Sequence, residues 1–341
     1  MKILHISHHV GCIRDHAYIY RELGADFTFW KFPKGLFHIT KEIADQMWNE
    51  KKEYFNTFDY VVTSDTAPLS RIFMENLQTF RGKLVVWICN RFDYNMEKDP
   101  SFYEIFRKCS GKVQIIPYSD FEGIWCQLRG IPPIYNTITP IGKNPRALDS
   151  RIDCLQELSD SYTKDANSKE AYGSPEDLMG KYFIPIYGND NCFFNMRQLL
   201  QNYGIPCFNG GYSHPEDLKA CIAMITFPDA FSKLITFETI QNEVVVFLPS
   251  RAFLCSLHPT SRNGVGYWFN SPVGHLNPEL IGYCEWYRYE NCRIYFDSIE
   301  DLLFKLKTLS GTILEEKKRW CRIYGAEIER TSMQAWKQVF S

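Results

Sequence analysis

Short segments of continuously apolar residues recur along the chain, and each leads into a polar or glycine-containing turn. In the first half they cover residues 2–6, 27–30, 60–62, 84–89 and 113–117. A strand buried on both faces has this pattern, whereas a half-buried strand alternates apolar and polar residues. Capping signals for helices follow several segments, among them Ser119 after the fifth. We therefore expect a parallel sheet with crossover helices. An antiparallel α+β domain, which needs hairpin turns between neighbouring strands, is the alternative.

The second half of the chain repeats this alternation. Its apolar segments cover residues 183–186, 205–208, 223–227, 244–248 and 293–296, and Ser213 with Glu216 at capping-box spacing predicts the start of a helix. Residues 149–178 instead carry many polar and charged side chains and few large apolar ones, as a loop or linker does. A chain of 341 residues is expected to form about two domains. We predict a first domain at residues 1–145, a linker at 146–180, a second domain at 181–313 and a final helix at 314–341.

Charge and cysteine content exclude several classes of protein. The net charge of −2 disfavours nucleic acid as the main partner, because phosphate binding normally requires a clear basic excess. The longest apolar runs, residues 84–89 and 244–248, are far shorter than the ~20 residues that span a bilayer. The first residues do not resemble a signal peptide. The 12 cysteines show no C-x-x-C spacing, which favours reduced thiols and a cytoplasmic location.

Motifs for several common enzyme classes are also missing from the sequence. It contains neither G-x-G-x-x-G nor G-x-x-x-x-G-K-[ST], which disfavours NAD enzymes and P-loop nucleotide hydrolases. It has no G-x-S-x-G elbow of a hydrolase. Zinc-type ligand spacings and a D-x-D motif are absent as well. We therefore expect no metal and no cofactor.

Residues 228–238 are the most informative segment, because they lie between two apolar strands where a turn leads into a helix. Backbone amides at the start of a helix can bind an anion, and Lys233 adds a positive charge. Glu238, in the following helix, could accept hydrogen bonds from the two hydroxyls of a ribose. The alternative is that Lys233 and Glu238 are ordinary solvated charges on a helix.

Residues 199–250 resemble the second domain of GT-B nucleotide-sugar glycosyltransferases, especially the retaining family-4 type. The resemblance rests on Phe208-Asn209-Gly210-Gly211, on Ala230-Phe231-Ser232-Lys233-Leu234 and on Glu238. The end of the first domain, Pro140-Ile141-Gly142, resembles the family's approach to its hinge. The sequence as a whole also resembles glycosyltransferases of large algal (chlorella) viruses.

The resemblance implies an α/β GT-B architecture with two Rossmann-like domains, whose mostly parallel sheets face an interdomain cleft. The first domain would lie on the acceptor side and the second on the donor side. The final helix would cross back to the first domain, as the family's last segment does.

The resemblance also implies roles for single residues in binding the donor. Glu238 would bind the nucleotide ribose, and the backbone around Ser232, Lys233 and Leu234 would hold the diphosphate. The turn containing Gly210, Gly211 and Tyr212 would lie near the base. Gly11, in the first strand-to-helix turn, would approach the donor phosphate or sugar from the other domain.

Candidate catalytic groups are His16, Asp93 and Asp229. His16 lies about one helical turn past Gly11, and Asp93 closely follows a predicted buried strand. An exposed helix histidine without a catalytic role is the alternative for His16. Asp229 stands beside Ala230, which occupies the place of the family's first glutamate. The family's Gly-Arg and Lys-Gly pairs at the opening of the second domain are missing too.

The sequence thus predicts a hexosyl- or pentosyltransferase, retaining as in the family. It would move a sugar from a UDP- or GDP-linked donor to a glycan or protein-linked acceptor. Two alternatives stay open: a nucleotide-sugar epimerase of the same fold, and a non-catalytic binding or assembly protein that kept the fold. A DNA-modifying glucosyltransferase would share the architecture, but the net charge disfavours it.

Overall fold

The computed structural model shows two compact units. It describes residues 1–32, 39–89, 99–109, 113–131, 137–143, 172–185, 194–228, 230–231, 233–257 and 280–341. The first unit consists of residues 1–140, 144–166 and 330–341. The second consists of residues 141–143 and 167–329.

The first unit contains a five-stranded sheet of order β2-β1-β3-β4-β5, in which every pairing is parallel. Its strands are β1 (Lys2–Ser7), β2 (Asp26–Lys31), β3 (Tyr60–Asp65), β4 (Lys83–Ile88) and β5 (Gln114–Pro117). Its helices are α1 (Val10–Glu22), α2 (Lys41–Phe55), α3 (Arg71–Met74), α4 (Pro100–Cys109) and α5 (Asp120–Leu128). A 3-10 turn, Ala67–Ser70, precedes α3.

The second unit contains a six-stranded sheet of order β11-β10-β9-β7-β8-β6, again with parallel pairings throughout. Its strands are β6 (Tyr172–Gly173), β7 (Tyr182–Pro185), β8 (Cys207–Tyr212), β9 (Ala223–Ile225), β10 (Val246–Pro249) and β11 (Arg293–Phe296). Its helices are α6 (Pro175–Leu178), α7 (Met196–Asn202), α8 (Leu234–Gln241), α9 (Arg251–Leu257), α10 (Glu285–Arg288) and α11 (Ile299–Thr308). Short 3-10 helices cover Pro215–Ala220, Leu280–Tyr283 and Glu290–Cys292.

The last helix, α12 (Gly311–Val339), belongs to both units. Its residues up to 329 group with the second unit, and its end groups with the first. None of the helices in the described ranges combines the length and apolar character needed to cross a membrane.

The continuous apolar segments form buried parallel strands, which confirms the predicted α/β class. All six residues of β3 are buried, and so are the last five of β4. The parallel pairing explains this, because a crossover connection between parallel strands places a helix over the sheet.

Three local expectations differ from the structure. The sequence analysis did not predict α2, whose N-terminal cap is the side chain of Thr40. The predicted linker contains β6 and α6, and β6 pairs with the end of β8; residues 144–171 lie outside the described ranges. The helix expected after Ser213 is the 3-10 turn Pro215–Ala220.

Candidate functional site

A buried carboxylate lies beside the end of β8 in the second unit. It belongs to Glu238 in α8, whose exposed fraction is 6%. The Tyr212 hydroxyl, at the end of β8, donates a hydrogen bond to its Oε2. The Tyr212 ring packs edge-on against Phe183 of β7, with 5.9 Å between the ring centroids. The carboxylate is therefore held in one orientation at the carboxyl edge of the sheet.

The two glycines before Tyr212 are part of β8 rather than of a turn, which corrects the sequence analysis. Gly210 pairs with Pro185 of β7, and Gly211 pairs with Tyr172 of β6. The short strand β6 extends the sheet beyond the predicted end of β8, and its pairing keeps Gly211 and Tyr212 extended.

Gly142 makes a close backbone contact with α8 at the carboxylate-bearing residue. Its φ is +79°, a conformation that side chains other than glycine rarely adopt. A Cβ atom on Gly142 would lie 2.5 Å from the carbonyl carbon of Phe237 and 2.7 Å from the backbone nitrogen of Glu238. Gly142 therefore packs directly on the backbone that carries Glu238.

The predicted anion-binding segment lies at the start of α8, and its binding of an anion stays a prediction. Lys233 is the N-cap residue, with φ −145° and ψ 139°, and Leu234 is the first helical residue. The Lys233 carbonyl accepts the first hydrogen bond of the helix, from the backbone nitrogen of Thr236. Asp229 and Ser232 lie outside the described residues, so the roles predicted for them stay predictions.

In the first unit, Gly11 lies within the first turn of α1, not in the loop before the helix, since α1 begins at Val10. Its predicted approach to the donor stays a prediction. Asp93, the base candidate after β4, lies outside the described residues.

His16 lies in the core of the first unit with no exposed surface. Its Nδ1 donates to the carbonyl of Cys12 at 3.2 Å, and burial lowers the pKa of the ring to about 3. Its ring contacts four aromatic residues: His5, Tyr20, Trp87 and Trp336. These are the surroundings of a neutral core histidine and do not support the predicted role as a catalytic base.

The sequence analysis missed a cluster of ionisable side chains at the carboxyl edge of the first sheet. Asp65 ends β3, Cys12 lies in the first turn of α1, and Cys89 directly follows β4. A side-chain hydrogen bond with Cys89 lowers the pKa of Cys12 to about 5, and His9 contributes in the same direction. Burial, and then the charge of Cys12, raise the pKa of Asp65 to about 7, whereas His9 lowers it.

Asp65 differs from its neighbours in backbone conformation and in its lack of partners. Its φ is +79°, and it is 8% exposed. Among the residues that the structure describes, its carboxylate has no hydrogen-bond or ion-pair partner. The only signal in the sequence was its place at the end of an apolar segment.

Comparisons with known proteins identify the fold. No protein-family model matches the chain, and no curated protein matches it. Among solved structures, Anabaena HepE in complex with UDP and glucose is similar at a TM-score of 0.55 and 11% identity, covering 99% of both chains. A UDP-forming trehalose-phosphate synthase from Burkholderia xenovorans is similar at 0.52 and 10% identity, covering 99% of this chain and 97% of that one.

UDP-GlcNAc 2-epimerase from Neisseria meningitidis, bound to UDP-GlcNAc, also matches. Its TM-score is 0.46 at 11% identity, and the match covers 97% of this chain and all of that one. The parallel order of both sheets and the full-length likenesses above 0.5 agree with each other: the chain has the GT-B fold, built from two Rossmann-like α/β units.

Proposed function

We propose that the chain is a glycosyltransferase that moves a sugar from a UDP- or GDP-linked donor to a hydroxyl group of a glycan or protein-linked acceptor. The hydrogen bond between Tyr212 and the buried Glu238 carboxylate is the observation that supports this best. It lies where a parallel sheet binds its ligand, at the carboxyl ends of the strands.

Glu238 would bind the ribose of the donor. A carboxylate offers about four lone-pair positions, so the hydrogen bond from Tyr212 uses only part of its capacity. Two neighbouring hydroxyls of a ribose can donate to the same carboxylate. Because Tyr212 and the Gly142 contact fix the orientation of Glu238, little side-chain freedom would be lost when the nucleotide binds.

The start of α8 would stabilise the leaving diphosphate. Negative charge builds on the departing oxygen during transfer, and fixed backbone amides and cations lower the energy of that state. The first turn of α8 supplies the amides, and Lys233, the N-cap residue, supplies the cation. We propose retention and a mechanism without a metal, in which these groups take the place that a metal ion would otherwise have.

Thermal unfolding of the full chain against a panel of nucleoside diphosphates and their sugars tests the proposal. A ligand at 100 times its Kd adds about 2.7 kcal/mol of stability. At roughly 2–4 °C per kcal/mol, the midpoint should rise by several degrees. We expect Glu238→Gln to lose most of the shift. The matched control is Glu243→Gln, which changes an exposed carboxylate just beyond the same helix and should keep the shift.

Two results would contradict the proposed function. Conversion of the sugar of a nucleotide sugar without any acceptor would identify an epimerase instead. If no nucleotide changes the unfolding midpoint, the chain is a non-catalytic protein that kept the fold. An unchanged shift in Glu238→Gln would remove the residue assignment.

A further inference from the structure

We propose that Asp65 is the residue with which the first unit binds the hydroxyl groups of its own ligand, a sugar. The inference deepens the proposed function and rests on it only in naming that sugar as the acceptor. It stands on three observations at Asp65: its place in the sheet, its backbone conformation and the absence of a partner for its buried carboxylate.

The place of Asp65 is the edge of the sheet at which ligands bind. It is the last residue of β3, a strand between β1 and β4 in a fully parallel sheet. Ligands of open parallel sheets bind outside the carboxyl ends of the strands. Asp65 is paired there with Ile88, the last residue of β4.

The backbone of Asp65 is in the left-handed region, where residues other than glycine are rare. Glu243 is the only other such residue among the non-glycine residues that the structure describes. Glu243 follows the end of α8, a place where helices commonly adopt this conformation. Asp65 ends a strand and terminates no helix, so helix capping does not explain its conformation. Backbone strain of this kind is typical of functional sites.

The carboxylate of Asp65 is buried without a bonding partner in the described ranges. Buried polar groups in folded proteins are almost always hydrogen-bonded, so the carboxylate of Asp65 has bonding capacity that a ligand can use. The ionisable groups that face it are Cys12 and His9 from the α1 side and Cys89 from the end of β4.

The chemistry of the site favours hydroxyl groups over a cation. Burial raises the pKa of Asp65 to about 7, so near neutral pH both the charged and the protonated forms are populated. The carboxylate accepts hydrogen bonds from hydroxyls, and the protonated form can donate one, so a polyol is bound in either state. The bonds to the charged form are stronger. Sugar binding should therefore weaken as the pH falls through about 7.

Binding of free hexoses (glucose, galactose, mannose and N-acetylglucosamine) to the full chain tests this by saturation-transfer NMR at about pH 8 and pH 6. We expect the wild type to bind at least one hexose, more tightly at the higher pH. Asp65→Asn and Asp65→Gly should each weaken that affinity by about tenfold or more. Their unfolding midpoints should be equal to or above that of the wild type, because both residues accept a positive φ.

Alkylation of cysteines locates the bound sugar. Cys89 is partly exposed beside Asp65, and Cys207 and Cys255, in the second unit, are also partly exposed. Burial raises the pKa of the Cys89 thiol, so its alkylation is slow and is followed at about pH 8 until it is complete. The hexose should slow alkylation of Cys89, measured by mass spectrometry, and leave Cys207 and Cys255 unchanged. Glu243→Gly is the matched control for backbone strain, and its hexose affinity should equal that of the wild type.

Hexose binding in Asp65→Asn equal to that of the wild type would overturn the inference, and so would a wild type that binds none of the four sugars. The nucleotide-induced shift is recorded on the same variants. If that shift is absent while Asp65-dependent hexose binding remains, the donor assignment fails and the inference stands. If hexose binding fails while the nucleotide shift remains, the inference fails and the donor assignment stands.

Discussion

The two units each place a buried carboxylate at the carboxyl edge of a parallel sheet, but they hold it by different means. Glu238 and Asp65 are similarly buried, at 6% and 8% exposure. Glu238 lies in a helix with ordinary backbone geometry, and Tyr212 bonds its side chain. Asp65 has a strained backbone and, among the described residues, no bonding partner.

The difference shows that burial alone does not define what a carboxylate does. A hydrogen bond fixes Glu238 before any ligand arrives, which suits the ribose-binding role that we propose for it. The position of Asp65 is fixed by its backbone, and its bonding capacity is left for a ligand. Each of the following experiments alters one of these two arrangements.

Gly142→Ala should have the largest effect, because it disturbs the backbone that carries Glu238. The new Cβ would collide with backbone atoms of Phe237 and Glu238, and the positive φ adds strain. Overpacking costs about 1–3 kcal/mol, and the left-handed conformation about 1–2 kcal/mol. We expect a loss of about 2–5 kcal/mol in the free energy of unfolding, measured with urea, together with weaker nucleotide binding.

Gly180→Ala is the matched control for Gly142→Ala. Its φ is +69°, but nothing lies within 4 Å of the added Cβ. It should lose only the contribution of backbone strain, about 1–2 kcal/mol. Equal losses in the two variants would show that the Gly142 contact does not support Glu238.

Asp65→Asn should stabilise the protein, and the gain should increase with pH. The folded pKa of Asp65 is raised from 3.8 to about 7, so the folded state keeps its proton over this range while the unfolded state loses it. Wild-type stability therefore falls as the pH rises from about 4 to about 7, and the loss persists above that. Asparagine does not titrate. The gain at pH 8 should exceed that at pH 4 by at most about 4 kcal/mol.

Unfolding midpoints of Asp65→Asn and wild type across that pH range measure this difference. Glu243→Gln is the control, since its carboxylate is exposed and paired with the exposed Arg322. A gain from Asp65→Asn that is constant with pH would show that Asp65 is already ionised at low pH in the folded protein.

The sequence allowed the sheets to be predicted, because a strand buried on both faces is apolar throughout. Helix α2 was missed, although its buried residues Ala44, Trp48 and Phe55 follow a helical period and Thr40 caps it. The many charged residues of α2 make this buried face difficult to recognise in the sequence. The face of α1 that carries His16 could also have been predicted, since Cys12, His16 and Tyr20 are spaced four residues apart and all are buried.

Glu238 and Asp65 differ in how much of their surroundings can be predicted from the neighbouring residues in the sequence. Glu238 could be proposed from the sequence because the strand, turn and helix around it follow one another directly. Its bond to Tyr212 joins residues 26 positions apart, which no local pattern shows. The environment of Asp65 depends on Cys12 and Cys89, from two other segments of the chain. Its backbone conformation and raised pKa arise only after folding.

Tyr212→Phe removes the hydrogen bond to Glu238 and keeps the ring against Phe183. Loss of a hydrogen bond to a charged group costs about 1.5–3 kcal/mol. We expect nucleotide affinity, measured by calorimetry, to fall about tenfold. Tyr182→Phe is the control, because it removes a buried hydrogen bond to the carbonyl of Leu306 in the same unit. It should lower stability and leave nucleotide affinity unchanged.

Glu243→Gly should have the smallest effect, and it tests whether a positive φ by itself marks a site. Glycine relieves the strain at φ 57°, worth about 1 kcal/mol. The greater freedom of glycine in the unfolded chain offsets part of this gain. The lost ion pair with Arg322 is about half exposed and contributes little. We expect a change of a few tenths of a kcal/mol in unfolding free energy and unchanged hexose and nucleotide binding. If the variant loses binding of either ligand, the positive φ at Asp65 would no longer set it apart from Glu243. Only the missing partner of its carboxylate would then distinguish Asp65.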